Sequence, residues 1–230
     1  MKRVGHKGAD LVEPGNTRES FEAALEHGVD MIEFDILRLP DGRLVLAHDL
    51  EDAASREPMT MDEGLDLFAT EAYADVELDV DMKIPGYERE VADGLVRRGL
   101  IERSIVSTTY LESIDRLGEL GTGVRRGLSV PRARRDYTRS VFAPAVLVLL
   151  GIWRRRLPGR MAELVRSGRC EGGMVHYYLV SERLVDQVRE AGGFVYVWTV
   201  DDPRRIRRLE AIGVDGVITN DPRLFEPAPA

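Results

Sequence analysis

The sequence contains one cysteine, Cys170, among 230 residues. An intramolecular disulfide and a thiolate zinc cluster are both excluded by that count. Lysine is almost as scarce. Lys2, Lys7 and Lys83 are the only ones, and arginine carries the remaining basic charge. Long hydrophobic runs are also lacking. The longest apolar stretch, VFAPAVLVLLGIW at 141–153, falls short of the about 20 residues that a spanning helix needs. It reads as a buried covering element with Arg154, Arg155 and Arg156 at its solvated end. No apolar segment follows the charged start MKRVGHKGAD, so no secretory signal is read and a cytoplasmic location is expected. A formal net charge of -8 argues against nucleic acid as the main partner, which usually needs a basic face. What is present is a globular composition, 43% hydrophobic, with enough chain for one sizeable core. A single domain is expected over 1–225, with 226–230 a flexible tail.

Apolar, β-branched runs alternate along the chain with helical patterns. KRVGH, DMIEFDI, YADVELDVDM, SIVSTT, GVRRGLSV, GGMVHYY, FVYVWTV and DGVITN read as strands. NTRESFEAALEHG, REVADGLVRRGL, LESIDRLGEL, SERLVDQVREAGG and DPRRIRRLEAIG read as helices, the first capped by Asn16 or Thr17 and stopped at Gly28. Such alternation implies parallel βαβ units. The fold class expected is α/β, a compact (β/α)8 barrel, with a doubly wound open sheet as the alternative. The segment 131–169 resists assignment.

The stretch MIEFDILRLPDGRLVLAHD concentrates the chemistry. Side chains alternate along a strand, so Glu33 and Asp35 point to one side and Phe34 to the other. Two carboxylates at the C-terminal end of a barrel strand repel each other and lose hydration, unless a cation joins them. Solvated acids paired with arginine are the bland alternative. Asp41-Gly42 signals a two-residue hairpin, which would set Pro40 opposite Arg43 and Asp35 opposite His48. His6 ends the first strand. Asp81 and Lys83 end the third, on the same side as Glu77 and Asp79, with Glu77 expected at the solvated start. Three carboxylates suit a hard divalent ion, Mg²⁺ or Ca²⁺ with Mn²⁺ possible. Two histidines suit proton exchange near neutral pH, and lysines suit a phosphate. Together these parts support metal-assisted attack on a phosphodiester.

The motifs GHKGA with PGNT, IEFDI followed by DGRLVLAHD, DMK, VYVWTVDD and GVDGVITNDP occur in this order. In that ordered set the chain resembles the glycerophosphodiester phosphodiesterase family over nearly its whole length. The resemblance implies a barrel of the phospholipase C-like phosphodiesterase type and metal-dependent hydrolysis to an alcohol and glycerol 3-phosphate. It places the acid-base histidines on His6 and His48 and the metal ligands on Glu33, Asp35 and Asp81. Lys7, Lys83 and Trp198 fall at substrate-binding positions. Lys7 stands where the family has arginine, Gly15 where it has glutamate, and Asp81 is one methylene shorter than the usual glutamate. Glu13 is the nearest sequence candidate to replace the acid lost at Gly15. The stretch after His48 is trimmed. The expected partner is a small phosphodiester, with no nucleic acid and with membrane contact not favoured. A lysophospholipase D-type activity and a catalytically silent phosphodiester-binding barrel are the alternatives. His27 is read as a helix-end residue, His176 as structural, and the arginines of VRRGLSVPRARRDYTRS as solvated.

Overall fold

The computed structural model describes residues 1–132 and 143–225, with side chains omitted over 143–150. In chain order the elements are β1 (Lys2–Gly5), α1 (Arg18–Glu26), β2 (Met31–Arg38), β3 (Leu44–Val45), α2 (Leu50–Ser55), α3 (Met61–Phe68), β4 (Glu77–Met82), α4 (Glu88–Arg97), β5 (Ser104–Thr108), α5 (Leu111–Glu119), β6 (Arg125–Val130), α6 (Ala143–Arg166), β7 (Gly172–His176), α7 (Glu182–Glu190), β8 (Phe194–Trp198), α8 (Pro203–Ala211) and β9 (Gly216–Thr219). Strands β1, β2 and β4 to β9 are parallel, and β1 pairs with both β2 and β9, so the sheet closes on itself. The fold is a (β/α)8 barrel, and closure removes the open-sheet alternative.

Strand parity builds the interior in layers. Val4, Met31, Ile105, Met174, Tyr196 and Ile218 form one apolar cluster that plugs the barrel. Two residues further along the same chains come His6, Glu33, Ser107, His176, Trp198 and Asn220, all but Glu33 near or beyond the C-terminal strand ends. The period of two therefore places a polar layer directly above an apolar one. At the opposite mouth Glu77 pairs with Lys2 and with Arg125, the solvated start expected for it. The outward residues Ile32, Phe34 and Ile36 join the main core with α1 and α3. Phe34 sits 4.8 Å from Phe68 and 6.2 Å from Phe21 between ring centroids. Burying an aromatic ring there stabilises by about 1.5–3 kcal/mol, and it orients β2 with Glu33 and Asp35 inward.

Two sequence expectations need correction. The hairpin loop is three residues, Pro40, Asp41 and Gly42, because the β2–β3 register pairs Leu37 with Val45 and Arg38 with Leu44. Leu39 and Arg43 close the loop at 2.9 Å, and Gly42 takes a positive φ of 91°, the geometry of a three-residue turn with a glycine bulge. Asp35 therefore does not face His48 across the hairpin. The second correction concerns the apolar stretch. Residues 151–156 are exposed, with Ile152 and Trp153 each at 43%. Among the described side chains of α6, the buried ones include Leu157, Met161, Ala162, Leu164 and Val165. The rest of that stretch lies outside the residues whose side chains are described, as does the 226–230 tail.

The trimmed segment after His48 carries two short helices that the strand-and-helix reading passed over. Asp49 caps α2, and a reciprocal Thr60–Glu63 capping box starts α3. No helix among the described residues is long and apolar enough to cross a membrane.

Candidate active site

The C-terminal ends of the strands surround a cavity of about 1050 Å³, lined among others by His6, Glu33, His48, Asp79, Asp81, Lys83 and Trp198. Glu33 and Asp35 are buried on β2, and the register sets them beside Asp79 and Asp81 on β4. Glu33, Asp35 and Asp81 each offer an oxygen, and these atoms lie within 4.8 Å of one another. Oxygen ligands at 2.0–2.6 Å from a hard divalent ion span such separations. The missing methylene of Asp81 does not take it out of the cluster. Asp35 Oδ1 is buried and lacks an aligned hydrogen bond, its ion-pair partner being the Lys83 ammonium, and such an oxygen also fits a cation. The donor set thus suits the expected ion.

Lys83 Nζ is the cation nearest these acids. It pairs with Asp35 and lies 2.5 Å from Asp81 Oδ2. The Asp35 contact satisfies charge without hydrogen-bond alignment. Burial works against the Asp35 charge, but Lys83 outweighs it and, with His48 and His6, holds this carboxyl below its ordinary range. Burial, and then repulsion from Asp35, raises the Glu33 carboxyl well above its ordinary value. Asp79 follows the same logic: burial pushes it up to about 8 against a hydrogen bond from Ser107. One ammonium therefore stabilises the charge of Asp35, while Glu33 and Asp79 favour their protonated forms.

The sequence offers Asn16 or Thr17 as the cap of α1. Thr17 makes that cap, accepting from Ser20 N. Asn16 instead is buried at φ 59°, and its amide clamps Asp35: Nδ2 donates to Oδ2 at 2.9 Å and Oδ1 accepts from the Asp35 N–H at 3.0 Å.

His6 is fixed from behind. Asn220 Nδ2 donates to Asp201 Oδ2 at 2.7 Å, which turns Asn220 Oδ1 toward His6 Nδ1 at 2.5 Å. Asp201 Oδ1 also accepts from Asn220 N at 2.9 Å and from the Thr219 hydroxyl at 3.0 Å. The network assigns the proton to Nδ1 and leaves the Nε2 lone pair facing the acids, 3.8 Å from Glu33 Oε2. Burial lowers the His6 pKa despite the nearby Asp35 charge, favouring the neutral ring. His48 reaches the same cavity from the start of α2. Its N–H donates to Asp52 Oδ2 at 2.9 Å, its Nδ1 lies 3.1 Å from Asp49 Oδ2, and half of its side chain is exposed.

The lysines stand differently from expectation. Lys7, at φ 50°, sends its ammonium to Asp10 at 3.3 Å and borders a smaller adjoining cavity shared with His48. Its backbone N–H, by contrast, donates to Glu33 Oε2 at 2.9 Å. Asp10 also accepts from Gly15 N at 3.0 Å, so Asp10 rather than the exposed Glu13 is the acid beside Gly15. Among the described residues, the guanidinium that lines the main cavity without an acidic partner is Arg132, stacked 4.0 Å from the Tyr110 ring centroid. In the same run Arg125 pairs with Glu77 and Arg126 with Glu171; the other arginines of that loop lie outside the described residues. Trp198 faces the cavity and meets His176 edge-on at 5.0 Å. His27 is the C-cap of α1.

Asn16, Asp201, Asn220 and Arg132 are the site residues that sequence reasoning did not assign. Three of them lie in the ordered motifs PGNT, VYVWTVDD and GVDGVITNDP. A barrel whose strand ends gather histidines, paired carboxylates and cations is built for phosphoryl chemistry. A profile of the glycerophosphoryl diester phosphodiesterase family matches residues 6–78 and 132–224, and the chain belongs to that family. It is 27% identical over 238 residues to the glycerophosphodiester phosphodiesterase GDPD4 of Arabidopsis thaliana, covering 96% of this chain and 71% of that one. The crystal structure of a glycerophosphodiester phosphodiesterase from Agrobacterium tumefaciens superposes with a TM-score of 0.72 at 19% identity, covering 98% of each chain. An Oleispira antarctica phosphodiesterase, solved in complex with the product sn-glycerol-3-phosphate, superposes at 0.68 with 18% identity, covering 97% of this chain and 94% of that one. At these identities the solved structures establish the shared fold.

Proposed function

We propose that the protein hydrolyses glycerophosphodiesters to an alcohol and glycerol 3-phosphate, with Glu33, Asp35 and Asp81 holding one divalent cation. The observation that carries this reading is the convergence of three carboxylates and two histidines on one cavity. When bound, the cation polarises a phosphoryl oxygen.

The chain's own groups supply the rest. Asn16 holds Asp35 in place, and Asn220 presents His6 with its Nε2 lone pair toward the cavity. His6 takes a proton from the attacking hydroxyl or water. His48, its Nδ1 beside the Asp49 carboxylate, gives a proton to the departing alcohol. Arg132 binds a free phosphoryl oxygen, since Lys7 is paired with Asp10 and Lys83 with the acids. Lys83 maintains the charge of Asp35, and Trp198 packs against the substrate.

A panel of water-soluble glycerophosphodiesters, assayed with Mg²⁺, Ca²⁺, Mn²⁺ and with EDTA, tests the proposal. Glycerol 3-phosphate released only with metal present is the expected result. No release from any diester under any ion would favour the silent barrel instead. A lysophospholipase D-type reading has one observation behind it: Leu50 and Ile84, exposed by 54% and 38%, both border the cavity and offer a surface to an acyl chain. Faster turnover of lysophospholipids than of soluble diesters would favour it.

A further inference from the structure

A second cavity, of about 730 Å³, opens between α6, α7 and α8. Arg154, Arg183, Arg204, Arg205 and Arg208 line it, against two acids, Glu182 and Asp202. Asp202 is already engaged in capping α8, accepting from Arg204 N at 2.8 Å. Among the described residues none of these five arginines forms an ion pair. Several other arginines do have acidic partners, as in Arg3–Asp30, Arg98–Asp66, Arg126–Glu171 and Arg169–Asp115, whereas five without one line this single cavity. The whole chain carries an excess of acid, with a net charge of -8. Converging cations left without carboxylates repel one another, and an anion among them relieves that repulsion.

The cavity's position is informative too. Helices α7 and α8 begin just after β7 and β8, so their first turns rise on the same rim as His6 and Glu33. Arg205 stacks 4.0 Å from the Tyr177 ring centroid, Tyr177 stacks on His176 at 4.3 Å, and His176 meets Trp198. A run of packed rings, Tyr177, His176 and Trp198, thus leads from the lining of the arginine cavity to the lining of the acid-lined one.

We propose that this cavity is a second anion-binding site, built for a phosphomonoester group. Guanidinium forks match phosphate oxygens in pairs, and arginines from three helices suit a dianion with three terminal oxygens. The volume falls within the roughly 300–1,000 Å³ of small-molecule sites, too confined for a nucleic-acid strand. The dianion has two possible sources, a free phosphomonoester or a phosphate carried on the alcohol of the diester. The second source alone rests on the phosphodiesterase reading.

Calorimetric titration of the whole protein with inorganic phosphate tests the site directly, with Arg204→Gln, Arg208→Gln and the double variant compared. Binding should weaken by about tenfold for each arginine removed, with melting temperatures unchanged because both side chains are exposed. Arg183→Gln provides an independent variant should either of these fail to fold. Phosphate affinity equal to wild type in the double variant and in Arg183→Gln would overturn the proposal. Turnover then identifies the source. Bis(glycero)phosphate and the same diester bearing a terminal phosphate are compared in wild type and double variant. A KM raised about tenfold or more for the phosphorylated diester alone assigns the site to the substrate's alcohol. Unchanged kinetics, with phosphate binding still lost, assign it to a free phosphomonoester. If wild type turns over neither diester, the phosphodiesterase reading fails while the phosphate titration still decides the site.

Discussion

Asp79→Asn should stabilise the metal-free protein, and by an amount that depends on pH in a defined way. Asp79 lies inside the barrel on β4, 1% exposed, with Oδ1 lacking any partner. Burial and the neighbouring Asp81 charge push its carboxyl up to about 8, against 3.8 for an ordinary aspartate. Below pH 4 the carboxyl is protonated in both folded and unfolded chains, and it contributes no pH dependence. As pH rises through 4 the unfolded chain ionises while the folded one keeps its proton. Folding must then take up a proton, so stability falls until pH passes about 8, where the folded group ionises too. At pH 7 the loss is about 4 kcal/mol, at roughly 1.4 kcal/mol for each pH unit above the unfolded value. Asparagine has nearly the same shape and no proton to take up, so it avoids this loss. Urea unfolding of wild type and variant in EDTA, from pH 4 to pH 9, measures the difference. The two curves should coincide near pH 4, diverge steadily, and run parallel above pH 8. A constant difference across the range would refute the argument that Asp79 is held protonated.

Three further outcomes follow from the site. Asn220→Ala should lower kcat by roughly 10- to 100-fold with KM nearly unchanged, because the His6 ring loses the contact that fixes its tautomer, while Asn220→Asp should restore part of the rate; a raised KM at normal kcat would make Asn220 a binding residue. Arg132→Gln should raise KM more than it lowers kcat, and Arg132→Lys should recover only part of the loss, since the ammonium lacks the fork; unchanged steady-state kinetics would remove Arg132 from the phosphate contacts. Phe34→Ala should cost about 3–5 kcal/mol in urea unfolding, with the remaining folded protein still able to bind metal, since the ring packs on the far side of β2 from Glu33 and Asp35.

Much of this site could be read from strand periodicity. Glu33, Asp35, Asp81 and His6 fall on inward positions by counting in twos, and closure of the barrel then brings adjacent strand ends together. The hairpin register could not be read so well. Asp41-Gly42 is compatible with both a two- and a three-residue loop, and Pro40 joined the turn, shifting the partner strand by one residue. His48 still arrives, carried by the start of α2 rather than by cross-strand pairing. Asn16 was visible as a capping residue, but a side chain that can cap a helix can equally clamp a carboxylate, and only the fold decides between them. The His6–Asn220 contact joins residues 214 apart in sequence, beyond any local pattern. Charge and motif position point to Lys7 and Lys83 as phosphate ligands, whereas nearby carboxylates compete for the same ammonium groups. The apolar run before Arg154 has no polar residue to mark which part of it is covered, and its described end, from Gly151 to Trp153, is exposed.

On the proposed mechanism, one divalent cation binds Glu33, Asp35 and Asp81 and is required for turnover. Calorimetric titration of chelator-stripped protein with Mn²⁺, paired with hydrolysis of a soluble glycerophosphodiester, tests it most directly. Binding of one ion per chain is expected, with turnover restored in proportion to occupancy, and both should be abolished in Glu33→Gln and Asp35→Asn while the proteins remain folded. Equal turnover after exhaustive chelation, or tight one-to-one binding that survives both substitutions, would contradict the account.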